Sequence, residues 1–68
     1  MIKEKLMNCL GLFKKRNYDN SPDYLIMSYK DYYKLCKEIN ITDQERPKWN
    51  DIYIFRSSDI PENYFFFQ

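Results

Sequence analysis

Histidine is absent from this 68-residue chain, glycine occurs once and cysteine twice. Each shortage removes a class of function. Without His the usual general base near neutral pH is missing. A structural zinc site needs four Cys/His ligands, and Cys9 and Cys36 supply two. Gly11 alone cannot build a Gly-rich phosphate loop. No apolar run is long enough to span a bilayer. Nor do the first residues form a secretory signal, because charges interrupt the apolar ones and no small-residue cleavage site follows. The acids are scattered. Asp43 with Glu45, or Asp59 with Glu62, reads as solvated loop charge rather than a metal site. The expectation is a non-enzymatic protein without a cofactor, located in the cytoplasm.

Aromatic rings are what the chain has in plenty: seven Tyr, five Phe and one Trp. A single small domain cannot cover them all, and rings left outside are typical of interfaces. Charge is balanced but uneven. Residues 1–16 carry Lys3, Lys5, Lys14, Lys15 and Arg16 against Glu4, while residues 17–68 carry nine acids and six bases. The two cysteines each fall in an apolar helical stripe. They read as reduced thiols, although arithmetic also permits one Cys9–Cys36 disulfide. Cys36 has no base beside it in sequence and reads as core rather than as a nucleophile.

The stretch Tyr24–Ile39 organises the chain. Tyr24-Leu-Ile-Met27 is a short apolar run of strand formers. Ser28 is a strong helix N-cap, and Asp31 stands three residues on at the acid position of a capping box. Beyond it Tyr32, Leu35, Cys36 and Ile39 fall at i, i+3, i+4 and i+7, one helical stripe, with Lys30, Lys34, Lys37 and Glu38 on the wet side. Asn40 tolerates the left-handed conformation and ends this helix.

Before this unit, residues 1–16 form a basic amphipathic helix with Ile2, Leu6, Cys9, Leu10 and Phe13 on one face. It either packs on the body, docks on another protein or lies on a membrane surface, the last being the least expected. Residues 17–23 are a turn-rich linker that leaves the helix separable from a compact domain at 24–68. After the unit comes a polar connection over 41–50, where Pro47 bars a continuous helix and Trp49 anchors the loop. Asn40-Ile41-Thr42 matches a glycosylation sequon and is set aside without a secretory signal. Residues 51–56 alternate, with Ile52 and Ile54 on one side and Tyr53 and Phe55 on the other. Tyr64–Phe67 is a last strand, in which Phe65 and Phe67 are expected to face outward. The fold class is α+β: a β-α-β-β body of three short strands and one packed helix, preceded by the N-terminal helix.

Tyr24-Leu-Ile-Met-Ser28 with Tyr32, Tyr33 and Leu35, followed by Ile52-Tyr-Ile-Phe-Arg-Ser57 and Asp59-Ile-Pro61, resembles a pattern in small bacteriophage proteins and in pieces of tailed-phage major capsid proteins. Asp51 stands where that pattern often has Gly, and residues 1–16 lie outside it. The abundance of Asn, Lys, Ile, Tyr and Phe is compatible with a phage or another AT-rich genome. The resemblance implies a protein–protein interaction role, either as a minor virion component or as an inhibitor of a host factor. Tyr53, Phe55, Phe65 and Phe67 are the expected contact residues, for another protein or for a second copy. The alternative is a small nucleic-acid-binding accessory protein that uses Lys14, Lys15 and Arg16 beside Phe13 and Tyr18. Against it stands the acidic body.

Overall fold

The computed structural model describes residues 1–68, and its first segment is the amphipathic helix α1, Ile2–Arg16. Its apolar stripe is short: Ile2, Leu6 and Leu10 are buried, while Cys9 and Phe13 are half-covered. Lys14, Lys15 and Arg16 occupy the last turn, where cations complement the negative end of the helix dipole. The helix stops in a Schellman turn. Tyr18 takes a φ of 54°, and the Asp19 N–H donates to the Lys14 carbonyl at 2.8 Å.

Strand β1 (Tyr24–Ser28) leads directly into helix α2 (Tyr29–Glu38). The junction forms as its sequence requires, because the Asp31 N–H donates to Ser28 Oγ at 3.1 Å. Losing that cap costs about 1 kcal/mol. At the other end Asn40 sits at φ 59° and the Ile41 N–H reaches the Cys36 carbonyl at 2.9 Å, a second Schellman turn. Ile41 then packs against the core, which is the apolar contact that usually accompanies this motif.

A strand not expected from the sequence follows. Lys48–Trp49 is β2, paired antiparallel with β3 (Ile52–Ser57) in the register Lys48↔Tyr53 and Trp49↔Ile52. Asn50 and Asp51, at φ 51° and 63°, make a two-residue hairpin turn with both central residues left-handed. The body therefore has four strands rather than three. The last, β4, is shorter than the expected Tyr64–Phe67 and spans Phe66–Phe67.

The sheet order is β2-β3-β1-β4. β1 and β3 run parallel, joined through α2, while both edge strands are antiparallel to their neighbours. This is a mixed sheet in a small α+β fold. One core of eleven buried residues takes Leu25 and Met27 from β1, Ile52 and Ile54 from β3, and Trp49 from β2. To these it adds Tyr32, Leu35 and Cys36 of α2 and Ile2, Leu6 and Leu10 of α1. Both helices thus cover the same face of the sheet.

Of the alternatives its sequence left open for the helix at 1–16, packing on the body is the one found, since three of its side chains belong to the single core. Its start is also tied to α2: Glu38 accepts the N–H groups of Ile2 and Lys3 at 2.8 and 3.1 Å, a cap supplied from another helix. Residues 17–23 connect two parts of one unit. Cys9 and Cys36 are both free thiols.

Candidate interaction surface

Alternation along the strands sorts side chains between the helix-covered face and the open one. On β1 Tyr24 and Ile26 point away from the core; on β3 Tyr53 and Phe55 do so. The parallel register sets Tyr24 opposite Tyr53 and Ile26 opposite Phe55, and β4 adds Phe66 opposite Ile26. These are cross-strand neighbours on one surface. The Tyr24 and Tyr53 rings lie 6.3 Å apart, and Tyr64 meets Phe66 edge-on at 5.8 Å. All five rings are between 41% and 58% exposed. At the β2 edge the Lys48 ammonium stands 4.4 Å over the Tyr53 ring.

Tyr53 and Phe55 therefore lie where the alternation placed them. Phe65 and Phe67 do not. Phe67 pairs with Leu25, an inward residue, so the register turns its ring toward the helices. There it meets Phe13 of α1 at 6.3 Å and Trp49 at 6.2 Å. The two opposite edges of the sheet thus close the core beneath it. Phe65 also packs against the core, and the outward pair is Tyr64 and Phe66.

The basic residues stand apart from this surface. Lys15 and Arg16 are exposed at the end of α1 and Lys14 is half-buried. Arg16 helps to line an open groove between α1 and β4, with Leu12, Phe13, Phe65 and Phe66.

A polar clasp borders the open face at the α2 end of β1 and β3. Tyr32, buried in the core through its ring, donates its hydroxyl proton to Asp43 Oδ1 at 3.0 Å. The Tyr32 hydroxyl oxygen in turn accepts the Gln44 N–H at 3.2 Å. Arg56 bonds Asp43 and also donates to the Gln44 carbonyl at 3.0 Å, with its guanidinium 4.6 Å over the Tyr32 ring. Burial pushes the Tyr32 hydroxyl up to about 12, against the Gln44 N–H, which favours the phenolate; the nearby Cys36 and Asp43 add to the rise. The Tyr32 hydroxyl is the largest influence holding Asp43 below the usual carboxylate range, and Arg56 reinforces it. In sequence Tyr32 is only an apolar stripe residue. Its hydroxyl's partners lie eleven and twelve residues away, beyond any local signal.

Asp31 has a similar second role. Its Oδ2 accepts from Ser28 Oγ at 3.1 Å and from the Asn63 N–H at 2.7 Å, which pins the β3–β4 loop to the start of α2. Asn63, at φ 66°, is the turn residue that presents this N–H. No helix of the protein is long and apolar enough to cross a membrane. Compared with known protein families, characterised proteins and solved structures, the chain matches none.

Proposed function

We propose that this is a non-enzymatic protein–protein interaction module whose contact surface is the open sheet face. One observation carries the reading: both helices cover one side of the sheet, and the other presents four half-exposed rings at paired strand positions with Tyr64 packed against Phe66 beside them. A solvated face of a sheet ordinarily alternates to polar residues. Contiguous rings left in water are costly and mark contact sites. The contact set is Tyr24, Tyr53, Phe55, Tyr64 and Phe66. The cytoplasm and the virion are its proposed settings, as an inhibitor of a host factor or as a minor structural component. What supports a viral setting is the sequence resemblance at 24–67.

The test is affinity capture from an extract of the cell that makes the protein, comparing the parent with a Tyr53→Ser/Phe55→Ser variant. The variant should keep its circular dichroism and lose the captured partner. Retention of the same partner at the same yield would place the contact elsewhere.

The nucleic-acid reading has one observation in its favour, the groove where Arg16 lies among Leu12, Phe13 and Phe66. At the open face Arg56 of β3 is already paired with Asp43, Arg46 shares its groove with Glu45, and Lys48 stands at the edge. Protein contact is the better match.

A further inference from the structure

We infer that the partner seated on the open face is a second copy of this chain, packed sheet to sheet. The inference rests on the reading of that face as a contact surface and names its occupant.

Charge comes first. The outward positions of β1, β3 and β4 are Tyr24, Ile26, Tyr53, Phe55, Ser57 and Phe66, none of them charged, and β2 adds Lys48 opposite Tyr53. A nucleic acid needs cations where its phosphates run. A strongly charged protein needs counter-charges at its footprint. Here Lys48 is the one cation over the rings, Arg56 is already paired with Asp43, and Arg46 has Glu45 beside it, so neither a phosphate track nor a set of counter-charges is assembled. An uncharged aromatic surface is complementary to another of its kind, and a two-fold axis brings the same patch from both sides. At its margin Glu45 and Arg46 are of opposite sign, with Lys48 beside them. Two copies turned against each other can therefore pair margins without a uniform like-charge clash.

Area decides whether such a pair would hold. A ring can bury about 150–250 Å², so five rings near half exposure present roughly 500 Å². Ile26 and the aliphatic stems of Lys48 and Arg46 add to this. That lies at the upper end of the largest apolar patch on an ordinary monomer, about 300–600 Å². Doubled across a two-fold axis it approaches the roughly 1,200 Å² where specific interfaces begin. A dimer of this size is reversible, with dissociation in the micromolar range or weaker.

Packing geometry agrees. Aligned sheets stack about 10 Å apart by interdigitating side chains, and large rings on alternate positions fill that gap. The helices lie on the far side of each sheet and do not obstruct the approach. The tyrosine hydroxyls can reach the margin and stay wet, as is usual for Tyr at interfaces.

Sedimentation equilibrium from low micromolar to near-millimolar concentration tests this. The parent should pass from its 8.5 kDa monomer mass toward twice that value. Phe55→Lys should remain monomeric throughout, with dimer affinity weakened at least a hundredfold, because the two-fold axis places two new cations in one interface. Its circular dichroism should match the parent, since Phe55 is outside the core. Phe55→Leu should dimerise more weakly than the parent and more strongly than Phe55→Lys. A parent that stays monomeric at every concentration overturns the inference. If Tyr53→Ser/Phe55→Ser still loses a captured partner, the contact-surface reading stands and only its occupant is wrong. A parent dimer that Phe55→Lys leaves intact also overturns it, by placing the interface elsewhere. So does a monomer whose salt-dependent binding of single-stranded oligonucleotide is lost in Tyr53→Ser/Phe55→Ser; in that case a nucleic acid takes the surface.

Discussion

Tyr32→Phe isolates the clasp from the core. The ring, fully buried, is retained, so packing against Leu35 and the sheet is unchanged and no cavity forms. What disappears is one oxygen with two hydrogen bonds, a donation to Asp43 at 3.0 Å and an acceptance from Gln44 N–H at 3.2 Å. A typical bond contributes about 1 kcal/mol net, and water can rehydrate the exposed ends of Asp43 and Gln44. The expected loss is therefore about 1–2 kcal/mol. For a domain of this size each kcal/mol shifts Tm by about 4–8 °C, so thermal melts followed by circular dichroism should show a fall of roughly 4–15 °C. The pH dependence supplies an independent reading. A hydroxyl raised to about 12 in the folded state, against about 10 in the unfolded chain, disfavours ionisation on folding. Its contribution is fully present below pH 10 and is lost as pH rises from there through 12. The other tyrosines are common to both proteins, so the gap between parent and variant should narrow over that interval. Asp43→Ala combined with Tyr32→Phe should be non-additive, because both remove the same bond. An unchanged Tm together with parallel alkaline profiles would refute the clasp.

Removal of residues 1–16 should unfold the protein. It strips Ile2, Leu6 and Leu10 from the core, at about 1.5–3 kcal/mol for each buried side chain, against a total stability of roughly 3–10 kcal/mol for a chain of this length; a cooperative melt of residues 17–68 would contradict the single core. Gly11→Ala should stabilise by about 1 kcal/mol, since Gly11 lies inside an exposed helical turn where an added methyl meets nothing within 4 Å; a denaturation midpoint at or below the parent's would contradict it. Glu38→Gln should lower Tm at neutral pH and flatten the acid limb. Partial burial raises the Glu38 carboxyl, but the Lys3 and Ile2 N–H bonds outweigh it and leave the net shift downward. A depressed carboxyl stabilises above its unfolded value near 4.3 and loses that effect as pH falls through the folded value. Acid melts that coincide for the two proteins would show that Glu38 does not cap α1.

Local structure was legible in the residues themselves. Ser28 and Asp31 mark the start of α2, Asn40 marks its end, and the alternation at 52–55 separates the buried isoleucines from the exposed rings. Each of these depends on neighbours within a few positions, through a cap, a left-handed turn or a pleat. Other features depended on partners far along the chain. The β2–β3 hairpin lacked a glycine to announce it, and only the pairing of Trp49 with Ile52 shows that Asn50 and Asp51 carry the turn. The facing of Phe65 and Phe67 could not be read from alternation, which separates two faces without saying which is inside. That was decided by the pairing of Phe67 with Leu25 and by Trp49 and Phe13 closing on its ring. The second roles of Tyr32, Asp31 and Glu38 likewise rest on partners eleven to thirty-six residues distant. Periodicity and capping are properties of a short segment and are written in it. The side of the sheet that stays open is a property of where the two helices dock, and only the assembled core determines it.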